Sequence, residues 1–198
     1  MSENMVLKPI LVDQLWQEQD ASRWVRRVTL AVVGSALLWI SAKIQVPFWP
    51  VPMTMQTLVV LGIGMAYGPR LAMATIMLYL AQGAMGLPVF AGTPEKGIGL
   101  AYMLSGTGGY LVGFVFAAGI VGWLAQRGWD RNVLTVALAM LIGNIVIYAM
   151  GVAWLSGLIG FEKAYTFGLV PFIAGDIAKL ILAACLLPFL WKVLGKEK

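Results

Sequence analysis

The sequence predicts an all-α, polytopic membrane protein: six transmembrane helices in one bundle, with both termini cytoplasmic. Three observations carry that prediction. Only 12% of the 198 residues are charged and 60% are hydrophobic, with a mean hydropathy of +0.84, whereas a soluble domain carries about 25% charge. Apolar runs separated by Gly, Pro and charge clusters give six spans, 25–42, 53–67, 71–87, 102–125, 133–155 and 172–194. The basic residues are sided. Arg23, Arg26, Arg27, Arg70, Arg127, Arg131, Lys192, Lys196 and Lys198 flank one set of span ends, leaving Lys43, Lys96 and Lys163 for the other. The positive-inside rule makes the first set cytoplasmic.

Residues 1–22 hold four acidic groups and no long apolar core, which is wrong for a secretory signal. They read as a cytoplasmic tail or an interfacial segment, with Ile10, Leu11, Leu15, Trp16 and Trp24 able to form a short amphipathic helix. Residues 23–198 then form the single six-helix transmembrane domain. In the first span the small residues Ala31, Gly34 and Ser35 suit either a partner helix or packing inside the bundle.

The second span is the irregular one. Fifteen residues at 1.5 Å each reach ~22 Å, short of the ~30 Å hydrocarbon core, so the helix is either sunken or continued by non-helical chain. The preceding outer loop has prolines at 47, 50 and 52, with Phe48 and Trp49 between them and Thr54 and Gln56 after. It is either a stiff aromatic lid bringing two neutral hydrogen-bonding groups to one side, or a Pro-rich turn in the interfacial aromatic belt.

The third span carries Tyr79 and Gln82 near its outer end. The fourth opens on Gly106-Thr-Gly-Gly-Tyr110 and continues as Gly109, Gly113 and Ala117, the every-fourth-residue pattern of close helix packing. The same helix start can hold an anion, with Thr107 and Tyr110 as side-chain contacts. The fifth has Asn144 and Tyr148 on one stripe. These stripes belong either to a pocket or to interhelical hydrogen bonds.

The sixth span contains Asp176 and Lys179, three apart within PFIAGDIAKLILAACLLPFLW. A charge at the centre of a membrane helix costs ~2.5–3.5 kcal/mol on insertion scales, so such residues normally face an interior and mark a site. Residues three apart share a helix face. The pair therefore presents a donor and an acceptor to one cavity, reached from outside, or else forms an ion pair that only locks helices together.

Several function classes are excluded or disfavoured. The chain has no histidine and a single cysteine, Cys185, so disulfides and the usual zinc and haem ligand sets are absent. No Gly-x-x-x-x-Gly-Lys-Ser/Thr motif occurs, and no cofactor is expected. No basic run is interleaved with aromatics, which argues against a nucleic-acid partner. An intramembrane enzyme would need a nucleophile and base that the sequence does not offer. A secondary transporter with Asp176 carrying a proton is the alternative, but no self-similarity relates the two halves.

Four motifs in order complete the reading: Pro50-Val-Pro-Met-Thr-Met-Gln56, Gly86-Leu-Pro-Val-Phe-Ala-Gly92, Gly106-Thr-Gly-Gly-Tyr-Leu-Val-Gly-Phe114 and Pro171-Phe-Ile-Ala-Gly-Asp-Ile-Ala-Lys179. Over about residues 25–194 the chain resembles the BioY family, the biotin-binding S component of energy-coupling factor transporters. The segment Thr93-Pro-Glu-Lys-Gly97 is less glycine-rich than the family's usual loop. The resemblance implies a multi-pass protein of the bacterial cytoplasmic membrane, in contact with lipid, that binds biotin from outside. It also implies either an ATPase pair and a transmembrane coupling protein as partners, or a protein that works on its own. The implied substrate contacts are Asp176 and Lys179, supported by Thr54, Gln56, Thr107, Tyr110, Asn144, Tyr148, Tyr79 and Trp49. Asp176 would accept from the ureido N–H groups, and Lys179 would donate to the ureido oxygen or pair with the carboxylate.

Overall fold

In the computed structural model, residues 8–15, 23–46, 51 and 53–194 are described. Trp49 and the prolines at 47, 50 and 52 lie outside them, as does Trp16. The elements in chain order are α1 (Leu11–Leu15), α2 (Arg23–Lys43), β1 (Gln45–Val46), β2 (Met53–Thr54), α3 (Gln56–Ala84), α4 (Gly99–Met103), α5 (Gly108–Ala125), α6 (Val133–Ile159), α7 (Phe161–Gly168) and α8 (Ile173–Leu194). Among the described residues, five stretches are long and apolar enough to cross a membrane: Arg23–Lys43, Gln56–Ala84, Gly108–Ala125, Val133–Ile159 and Phe161–Val193. Helices dominate because lipid offers backbone N–H and C=O groups no partners, so a spanning segment must satisfy them itself.

α3 is two helices. Gln56 Nε2 donates to the Tyr79 hydroxyl at 2.8 Å, although a straight helix would separate residues 23 apart by ~35 Å. The chain therefore folds back, and it does so at Gly68, whose φ of +72° interrupts the helix just before Pro69. A side chain is strained at that φ, and proline suits the first turn of the helix that restarts. Residues 56–67 and 69–84 thus form an antiparallel pair, as two of the expected spans require.

The shortness of residues 56–67 is resolved by the β-hairpin. β1 and β2 pair antiparallel, Gln45 opposite Thr54 and Val46 opposite Met53, and Met55 N donates to Ile44 O at 3.1 Å. The hairpin carries the chain on from the helix start with its backbone paired, Gln45 exposed and Met53 and Thr54 half-buried.

Three boundaries differ from the sequence reading. The span 71–87 stops at Ala84, and the span 102–125 is broken into α4 and α5 by a turn at 104–107 that packs under Trp154, whose Nε1 donates to Ser105 O at 2.9 Å. The region 156–171, expected as a loop, contains α7, set off from α6 by Gly160 at φ +85°. Its Ala164 and Gly168 face inward while Phe161 and Tyr165 stay exposed. A 3₁₀ turn, Val170–Phe172, with Pro171 within it, leads into α8.

α5 and α6 approach closely. A Cβ on Gly109 would sit 2.4 Å from Met150 O, and one on Gly113 3.0 Å from Ile147 Cα. Gly109, Gly113 and the fully buried Ala117 therefore act as a packing face, the first of the two readings their spacing allowed. Ser35 likewise turns inward: its Oγ donates to Gln82 Oε1 at 2.5 Å.

One end of the bundle gathers both ends of the described chain. Lys8 N donates to Gln126 O at 2.9 Å, Arg131 donates to Pro9 O at 3.3 Å, and Trp191 Nε1 donates to Asp130 Oδ2 at 2.8 Å. Ile10, Leu11 and Val12 are buried there, and Asp13 pairs with Arg26 at 2.7 Å. The hairpin, the 85–107 segment and α7 lie at the opposite end.

Candidate functional site

Asp176 sits in the first turn of α8, where the helix dipole favours a carboxylate. Its Oδ1 accepts from Lys179 Nζ at 2.8 Å and from Thr57 Oγ1 at 3.1 Å. Its Oδ2 accepts from the Tyr148 hydroxyl. Lys179 Nζ also donates to Thr57 Oγ1 at 2.9 Å. The Asp176 and Lys179 side chains are 7% and 12% exposed, so the carboxylate is buried, the ammonium is nearly so, and each compensates the other. Three elements, α3, α6 and α8, converge on this one carboxylate.

The cluster forms part of the wall of a cavity with about 540 Å³ of empty space, counting its open mouth. Val51, Met53, Leu111, Phe114, Ile147 and Phe172 supply apolar wall. Thr54, Gln56, Thr57, Thr107, Tyr110 and Tyr148 supply neutral polar groups, with Asp176 and Lys179 as the charged lining. An apolar chamber with a few placed polar groups suits a ligand that is hydrophobic along its body and hydrogen-bonding at an end.

The surrounding structure fixes these side chains. Thr54 Oγ1 accepts from Gln56 N at 3.2 Å, which ties the hairpin to the helix start. Tyr110 donates to Gly168 O at 2.7 Å, holding α7 against α5. Tyr110 and Tyr148 meet edge to face at 6.3 Å, and Tyr148 lies 6.5 Å from Phe172. On the far wall Phe90 stacks on Tyr102 at 4.9 Å and meets Tyr79 edge-on at 5.5 Å. Lys43 Nζ secures that segment by donating to Phe90 O, Thr93 O and Thr93 Oγ1 at 3.1, 3.0 and 3.1 Å.

Of the residues singled out from sequence, Asp176, Lys179, Thr54, Gln56, Thr107, Tyr110 and Tyr148 line one cavity. Tyr79 stands behind it, fully buried, accepting from Gln56 and donating to Val89 O at 2.9 Å. Asn144 faces a separate small cavity next to Lys179 and Thr57. It is 8% exposed, and its Oδ1 is buried without a hydrogen-bond partner among the described residues. Leaving such an acceptor unpaired costs about 1–3 kcal/mol. Trp49 lies outside the described residues. Sequence reasoning missed Thr57, Tyr102, Phe114 and Phe172. The signal for Thr57 was present, since it directly follows Gln56 in the same helix turn.

The BioY family profile matches residues 12–196. The chain belongs to the BioY family. The probable biotin transporter BioY of Pyrococcus horikoshii is 40% identical over 154 residues, covering 78% of this chain and 89% of that protein. The biotin transporter BioY of Rhizobium etli is 40% identical over 152 residues, covering 72% and 79%. Among solved structures, the S-component for biotin from an ECF-type ABC transporter superposes with a TM-score of 0.74. It is 26% identical and is matched over 88% of this chain and 95% of that one. The helical bundle described above is therefore a BioY fold, and the expected family stands.

Proposed function

We propose that the protein binds biotin at the Asp176–Lys179 cluster and serves as the substrate-specific component of an energy-coupling factor transporter in the cytoplasmic membrane. It would do so with six membrane crossings and both termini cytoplasmic. The observation that carries the site is the buried carboxylate of Asp176 beside the ammonium of Lys179, in an otherwise neutral cavity of a BioY-family chain. Biotin's ureido group offers N–H donors beside a carbonyl acceptor, and the cluster offers the complementary acceptor and donor. Biotin's own carboxylate placed there would meet Asp176 at like charge. The ureido end therefore faces the cluster, and Lys179 meets the ureido oxygen. The fused rings lie against Phe114, Ile147 and Phe172, and Thr54, Gln56 and Thr107 supply neutral contacts.

The family resemblance supports an ATPase pair and a transmembrane coupling protein as partners, and transport rather than catalysis as the role. The relatives described above are named as transporters. Equilibrium binding of biotin to the full chain in detergent tests the reading, with biotin methyl ester and an N-methylated ureido analogue as controls. Sub-micromolar biotin binding that survives esterification and fails on ureido methylation is expected. No binding at micromolar biotin overturns the function, and loss on esterification alone overturns the orientation.

A further inference from the structure

We propose that Asn144 is a second seat for the Lys179 ammonium, taken when a ligand's donors reach Asp176. This inference rests on the biotin reading and extends it to what the site does on filling. Buried polar atoms are paired as a rule, so the lone Asn144 Oδ1 calls for an explanation. It lines a small pocket shared with Lys179 and Thr57. Both of those residues also line the ligand cavity, so the Lys179 side chain borders both spaces.

The chemistry favours a swing. Asp176 already receives Lys179, Thr57 and Tyr148, and a ureido N–H approaching Oδ1 competes with the ammonium for the same lone pairs. Lysine is a point charge on a flexible four-carbon stem with rotatable donors. Displaced from Asp176, it needs another acceptor, because a buried charge left unpaired is strongly disfavoured. Asn144 Oδ1, lining a pocket that Lys179 also lines, supplies one, and with three N–H donors the ammonium keeps another for the ureido oxygen. Thr57, present in both cavities, accompanies Lys179 in either position.

The test uses the intact chain. The sequence holds three asparagines, Asn4, Asn132 and Asn144, so selective side-chain carbonyl labelling gives few signals, assigned through Asn4→Ser and Asn132→Ser. Saturating biotin should move the Asn144 signal to a hydrogen-bonded position. In binding assays Asn144→Leu should weaken biotin about tenfold, yet add nothing to the loss already caused by Lys179→Ala. A purely packing role would instead give additive losses in the double variant. Biotin binding with an unmoved Asn144 signal, or with additive losses, overturns the second seat alone. Failure of the unaltered chain to bind biotin overturns both the seat and the function it rests on.

Discussion

Asp176 and Lys179 are held by the same hydroxyl, Thr57, which donates to one and accepts from the other. Asp176→Asn exchanges an acceptor-only group for one that donates on one side, and Lys179→Ala removes the donor to the ureido oxygen. Each should weaken biotin binding at least tenfold, about 1.4 kcal/mol, as titration calorimetry on folded variants will show. Asp130 poses a different residue-scale question, at the other end of the bundle. Burial pushes its carboxyl above the ordinary range, against the opposing pull of the Trp191 N–H, Arg131 and Lys8. A raised folded-state value means that the folded chain holds this proton more tightly than the unfolded one. That stability is present at low pH and is lost as pH climbs through the folded value. From about pH 4 to pH 7, Tm of the unaltered protein should therefore fall more than Tm of Asp130→Asn. The asparagine variant keeps an oxygen for Trp191 and has no side-chain proton to lose.

At the scale of elements, the α5–α6 contact sets the distance between Tyr110 and Tyr148. Gly113→Leu would press on the Ile147 backbone, and overpacking of this kind costs about 1–3 kcal/mol. A lower Tm together with weaker biotin binding is expected, since the two tyrosines sit on the elements driven apart. The spans were legible because apolar runs of membrane length have few other uses, and the reversal at Gly68-Pro69 was legible because that pair punctuates them. The hairpin and α7 were not. Two-residue strands have no period to detect, and α7 mixes Glu162 and Lys163 with aromatics in the pattern of an outer loop. Within the site, Asp176 and Lys179 announced themselves by their cost in an apolar helix. Thr57 did not, because its contacts with residues 119 and 122 positions away exist only after folding.

For the whole molecule, both ends of the described chain share one end of the bundle, which makes orientation a single binary choice. With Cys185→Ala as background, Lys163→Cys on α7 should react with a membrane-impermeant maleimide in intact cells. Arg127→Cys, beside the docked N-terminal segment, should react only after the membrane is opened. The reverse pattern would invert the topology. The cluster at Asp176 has one more consequence at this scale. Its charges are satisfied within the protein by one another and by Thr57 and Tyr148, so a bound ligand exchanges one complete set of polar contacts for another and gains little net free energy from them. Affinity must then come from stripping water off the ligand's rings and off Phe114, Ile147 and Phe172. Dehydration of that kind leaves a calorimetric mark, a negative heat-capacity change on binding. Asp176→Asn should alter which ligands are accepted while leaving that heat-capacity change nearly intact for those that still bind.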